Sequence, residues 1–266
     1  MNVFLFEVKS QFKSALIWTV SILGGYLLFV AVFFGAFMES RTAVEQALGN
    51  LPPAFAAVFG LQLANIFSFG GFFSFAYTYI GVVGAIMAAS MGFSVFAREK
   101  RNKCVDFLLV KPVRRGTLFL NKFAACLGIL TVFNALFLAC VAVSYTANGQ
   151  DPAELGRAML AASSLFFLQL VFLSLSTFFA VMAKKVRSVS GAATAMGFAG
   201  FLVTALYSLT EEEAIRFVSP LQYFSPGAVF FTGGFETKYM LTAAAVCALC
   251  LCTAFLRYCR SDTKTL

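Results

Sequence analysis

The residues able to do chemistry in this chain concentrate in one short segment. From position 98 the chain reads Arg98-Glu99-Lys100-Arg101-Asn102-Lys103-Cys104-Val105-Asp106-Phe107-Leu108-Leu109-Val110-Lys111-Pro112-Val113-Arg114-Arg115. Glu99 and Lys103 form an i,i+4 pair in the favourable order. Val105, Leu108 and Leu109 make an apolar ridge. Pro112 stops a helix, and Thr117 is placed to cap the next one. A short amphipathic helix is therefore expected over 98–112. Its chemistry is recognition. The Lys and Arg residues alone would only fix topology and touch anionic lipid. An exposed apolar ridge in a charged loop calls for a docked protein partner.

No catalytic constellation accompanies this segment. The chain has no His, so the usual proton-transfer and metal-binding side chain is missing. Its 7 cysteines are Cys104, Cys126, Cys140, Cys247, Cys250, Cys252 and Cys259. None falls in an expected outside loop, so no structural disulfide is implied. Cys247 and Cys250 share a helix face and Cys252 points elsewhere. The cluster reads as small apolar packing rather than a soft-metal site. No metal site and no cofactor are expected in this chain. It contains no G-x-x-x-x-G-K-[ST] run, so it lacks that means of binding ATP.

The elements that must carry the segment are membrane helices. Of 266 residues 60% are apolar and 12% charged, with mean hydropathy +0.85. A soluble domain averages about a quarter charged. A soluble globule of this size could not hide so much apolar surface. Charge-free apolar runs cover about 15–38, 72–96, 123–145, 158–183, 188–209 and 239–256. Each is close to the roughly 20 residues that cross a hydrocarbon core. The alternating pattern of a lipid-facing barrel is absent, and in lipid the backbone must satisfy itself. The expected fold is all-α, one transmembrane domain over 1–266 with six transmembrane helices.

The basic residues set the orientation. With the N-terminus inside, 16 of the 20 Lys and Arg fall on the cytoplasmic side, and eight of the 12 acids fall outside. Both termini are then cytoplasmic. The net charge of +8 is mostly this topology signal, and no nucleic-acid partner is expected. Residues 1–14 read as an amphipathic helix on the inner leaflet rather than a cleavable signal. Phe4, Leu5, Val8 and Phe12 form its apolar face, while Glu7, Lys9, Gln11 and Lys13 lie away from it. Trp18 and Tyr258 are expected near the inner boundary, and Tyr145, Tyr207 and Tyr239 near the outer one.

The loops and small residues complete the layout. The stretch 54–69 follows Pro52-Pro53 and is too short to span, so it is expected to be re-entrant or interfacial. Short helices are expected in the outer loop 210–238. Gly81, Ala85, Ala88 and Gly92 form one small-residue stripe, and Ala193, Gly197 and Gly200 another. Both read as helix-packing seams. Asn134 and Gln169 are the notable polar residues at membrane depth, expected to hydrogen-bond between helices. Most of the 34 Phe are expected to face lipid.

The segment 98–115 also resembles the first cytoplasmic loop of ABC type 2 transporter permeases, the membrane subunits of many bacterial ATP-binding-cassette exporters. The resemblance rests on Glu99-Lys100-Arg101, Asp106-Phe107-Leu108-Leu109, Pro112-Val113-Arg114 and Lys122, and the span layout extends it over nearly the whole chain. The pattern differs at Arg98 and Cys104, where many members carry an acid and a glycine. The resemblance implies that 98–112 is a coupling helix docked in a groove of a separate ATPase. Glu99 and Asp106 to Leu109 would make that contact, flanked by Lys100, Arg101, Pro112, Arg114 and Arg115. It also implies ABC ATPase subunits as partners, with ATP and Mg held there, and a second permease copy or paralogue. Membrane lipid and the bacterial plasma (inner) membrane complete that picture. The competing readings are an ion-coupled secondary transporter, a membrane-embedded enzyme and a non-transporting assembly subunit. The first would need internal repeats and buried ionisable sites, the second a nucleophile or His cluster.

Overall fold

The computed structural model describes residues 3–59, 65–102 and 114–260, with the backbone alone at 53, 57 and 99–102. Every regular element among them is helical. Six helices are long and apolar enough to cross a membrane: Val3–Glu39, Phe69–Arg98, Arg115–Ala147, Pro152–Met182, Val189–Thr210 and Thr237–Arg260. Each contains one of the charge-free runs, or nearly all of it, and most extend beyond it by several residues.

The first span starts earlier than its apolar run. Helix α1 (Val3–Phe29) passes through a π segment (Val30–Phe34) into α2 (Gly35–Glu39), a single rod of 37 residues. At about 1.5 Å per residue it is roughly 55 Å long, well beyond a hydrocarbon core of about 30 Å. The expected separate interfacial helix over 1–14 is thus continuous with the first span. Its facing is also reversed. Glu7 and Gln11 are buried with Ala15, Ile22 and Tyr26, whereas Leu5 and Phe12 are 60% and 59% exposed. Polar side chains turn inward because they have polar partners there.

The π segment has a geometric reason. Ile22, Tyr26, Val30 and Phe34 are all buried, at steps of four. In an α-helix each such step drifts about 40° round the axis. The wider π turn cancels part of that drift and keeps Phe34 facing the bundle. There Phe34 packs on Phe69 and Phe72 with ring centroids 5.7 Å and 5.2 Å apart, and Phe69 packs on Tyr145 at 4.8 Å.

After α3 (Arg41–Gly49) and α4 (Pro53–Val58), α5 (Phe69–Asn102) runs unbroken for 34 residues. Residues 98–102, expected to open the loop helix, are the end of this rod. Then come α6 (Arg115–Ala147), a short 3-10 turn, α7 (Leu155–Met182) and α8 (Val189–Thr210). The bundle centres on α5 and α7. Helices α1 and α6 pack together, α8 lies along α5, and α4 rests on α8.

Small residues allow these approaches. A Cβ at Gly92 would lie 2.1 Å from Ser176 Oγ on α7, and one at Gly197 would lie 2.4 Å from Ile86 on α5. At Gly200 it would meet Phe172 at 2.9 Å, and at Gly81 it would sit in ordinary contact with Leu168 at 3.4 Å. Ala85, Ala88 and Ala193 are fully buried. Gly84, outside the expected stripe, belongs to the same seam, with Leu165 only 2.9 Å from its Cβ position.

The outer loop folds as expected into short helices, α9 (Glu213–Val218) and α10 (Pro226–Thr232), before α11 (Thr237–Arg260). They insert into the bundle: Tyr223, Phe224, Val229 and Phe230 are buried, and Phe230 fills the space beside Gly70. Among the described residues twelve Phe are buried, eight are exposed and thirteen lie between, so the rings serve both the core and the surface of the bundle. Tyr145 and Tyr239 stand near the ends of α6 and α11 with their rings buried, at 1% and 0% exposure.

The seam makes a paired prediction. Gly92→Ala should destabilise the protein by about 2 kcal/mol through overpacking. Gly24→Ala, where nothing lies within 4 Å, should be neutral or gain up to about 1 kcal/mol from helix propensity. Thermal unfolding in mild detergent compares them, and equal shifts would mean the α5–α7 seam is not tight.

Candidate coupling face

Residues Asp106, Phe107, Leu108, Leu109 and Pro112 lie outside the described residues. Glu99, Lys100 and Arg101 occupy the last turns of the α5 backbone. Arg114 is exposed at the entry to α6, and Arg115, half-buried, is its first residue. The structure therefore defines the two roots of the loop, the end of α5 and the start of α6.

The roots are tied together by buried charge. Arg98 Nη1 lies 3.2 Å from Glu7 Oε2, with the two side chains 20% and 5% exposed. One turn back on α5, Ser94 Oγ accepts a 2.8 Å hydrogen bond from Gln11 Nε2, one turn on along α1. From α6, Lys122 is 2% exposed. Its Nζ donates to the Val95 carbonyl at 3.4 Å and stands 5.9 Å from the Phe96 ring centroid. The three charges lie around the buried Cys126. Isolated charges in such a place cost several kcal/mol each, so they persist only as a mutually satisfied set.

This knot was only partly legible. Lys122 stands in the sequence as the basic residue at the hydrophobic entry. Glu7 and Gln11 did not, because their polarity assigned them to solvent. The available signal was their spacing: positions 7, 11, 15, 22 and 26 share one helical face. All three charged residues fall just outside the charge-free runs but inside the observed helices. The contrast with ion-coupled carriers therefore holds only in the middle of the bundle.

In that middle the polar ties are neutral. Asn134 Nδ2 donates to Gln169 Oε1 at 2.6 Å, joining α6 to α7, and Gln169 Nε2 donates to the Gly84 carbonyl of α5 at 3.3 Å. Tyr26 and Ser144 hydroxyls meet at 2.8 Å between α1 and α6.

The opposite face carries an exposed clasp from α9 to the start of α11. Arg216 Nη2 lies 2.5 Å from Glu236 Oε1, and its guanidinium stands 3.9 Å over the Tyr239 ring. Lys238 pairs with Glu213. The hydrogen bond from Lys238, then its charge, holds the Glu213 carboxyl below its ordinary range. The pair therefore weakens as acid protonates Glu213.

Six apolar helices, with paired charges at their two ends and neutral ties at depth, define a multi-pass membrane protein. Comparison with known families gives its kind. Residues 1–263 match the model for ABC-2 family transporter proteins, and the chain belongs to that family. It is thus a membrane component of an ABC transporter, from a family that generally works with ABC ATPase subunits. No curated protein and no solved structure matches it.

Glu7→Gln removes the negative charge facing Arg98. It should cost about 3 kcal/mol, the lower end for breaking a buried pair. Glu7→Gln combined with Arg98→Gln should cost less than the sum of the two single changes. A double-mutant cycle on thermal unfolding reads this directly. Additive losses would mean the pair carries no coupling energy.

Proposed function

We propose that this chain is the permease subunit of an ATP-driven ABC exporter. Two permease copies, identical or related, form the translocation pathway, and separate ATPase subunits drive it through the loop 98–112. The match to the ABC-2 family over residues 1–263 carries the reading. The amphipathic Asp106–Leu109 ridge supports the place of coupling. The chain's lack of a phosphate-binding loop fits ATP hydrolysis on a partner. The basic face is cytoplasmic, with both termini there, and the host membrane is the bacterial plasma membrane.

The stroke follows from the knot. A push on the loop acts on the end of α5 and the start of α6 together. The Arg98–Glu7 pair and the Gln11–Ser94 hydrogen bond pass it to α1, and Lys122 locks α6 to α5. Because α5 is one unbroken rod, a tilt at its inner end reaches the outer aromatic cluster around Phe69 and Phe72. The charged ties hold α1, α5 and α6 as one block, and the close-packed α5–α7 seam carries α7 with it.

Leu108→Asp tests the reading. The variant should insert into the membrane as the parent chain does, lose co-purification of an ATP-binding-cassette subunit from mild detergent, and lose ATP-driven transport. Unchanged co-purification together with unchanged transport would overturn the assignment of the loop.

A further inference from the structure

A second feature of the basic face has no part in that stroke. Where α7 ends and α8 begins, the turn Ala183-Lys184-Lys185-Val186-Arg187-Ser188 borders an open pocket of about 490 Å³. Its walls are of two kinds. Phe93 of α5, with Phe179 and Met182 from the last turn of α7, makes an apolar side, and Lys185, Arg187 and Ser188 make a polar rim.

The rim cations are available. Lys184, Lys185 and Arg187 are exposed, and no carboxylate among the described residues pairs with them. The apolar wall continues outward along the membrane-facing side of α7, where Phe179 and Met182 are 50% and 40% exposed. An occupant must therefore combine a negative head with an apolar body entering from the bilayer side.

We propose that this pocket binds one anionic phospholipid of the inner leaflet. The phosphate sits against Lys185 and Arg187, with Lys184 adding to the field, and an acyl chain lies along Phe179 and Met182. Basic pockets between membrane helices on the cytoplasmic side suit such headgroups. A soluble protein partner would account for the cations but would leave the lipid-side apolar wall without a purpose. The leaflet rests on the inside placement of the basic face. The binding chemistry does not, and neither depends on coupling to an ATPase.

Native mass spectrometry of the purified chain in mild detergent tests the site, with phosphatidylglycerol and phosphatidylcholine offered at equal concentration. The parent chain should retain one phosphatidylglycerol in marked preference to phosphatidylcholine. A contribution near the surface of roughly fivefold per cation makes the expected loss about thirtyfold in the K185Q/R187Q variant. The K9Q/K13Q variant removes two exposed cations from the same face, away from the pocket, and should bind as the parent does. Equal losses in the two variants would reduce the effect to general surface charge and overturn the site. So would unchanged phosphatidylglycerol binding in K185Q/R187Q. If that variant instead lost an ATPase partner while keeping its lipid, the turn would be a protein contact. The lipid readout needs only this chain, so failure to find an ATPase partner would leave its outcome intact.

Discussion

Charge at the edge of a hydrocarbon layer is expensive unless it is answered, and the inner end of this bundle is organised around that constraint. Glu7, Arg98 and Lys122 come from three different helices; Glu7 answers Arg98, and the Val95 carbonyl of α5 accepts from Lys122. The consequence is mechanical as well as energetic. Moving α5 away from α1 would separate a buried ion pair, and moving α6 away would strip Lys122 of the Val95 carbonyl. The three helices are thus cheaper to move together than apart. The loop expected to receive the ATPase is strung between two of them.

The remaining helices are joined by uncharged means. Between α5 and α7, and between α5 and α8, contact depends on glycines that let side chains such as Ser176 and Ile86 approach the facing backbone. In lipid, where no hydrophobic force drives helices together, such close packing is a main source of cohesion. At mid-depth, Asn134, Gln169 and the Gly84 carbonyl link α6, α7 and α5 without charge. On the opposite face the α9–α11 clasp has one part-buried pair, Arg216–Glu236, and one exposed pair, Lys238–Glu213, which salt screens more readily.

Much of this was legible from residue order. The gaps between charges located six spans, because a charge-free run of sufficient length has few alternatives in a chain this apolar. Glycine stripes at 81–92 and 193–200 pointed at the faces now found in contact. The facing of residues 3–14 was not legible. An amphipathic helix with no visible partner is read with its apolar side inward, and the partner that reverses this, Arg98, lies far along the chain. The segment 103–113 remains known by its sequence pattern, with Arg98, Arg114 and Arg115 marking where it leaves and rejoins the bundle.

The movement of α1, α5 and α6 as one block is the claim on which the transport mechanism turns. Spin labels at Ser10 on α1 and Leu120 on α6, both exposed, allow electron–electron distance measurement in the reconstituted complex with and without bound ATP. The expected result is a Ser10–Leu120 distance within one chain that stays fixed while the Leu120–Leu120 distance between permease copies changes. An intrachain distance that shifted as much as the one between copies would contradict the block, and with it the role given to the buried charges.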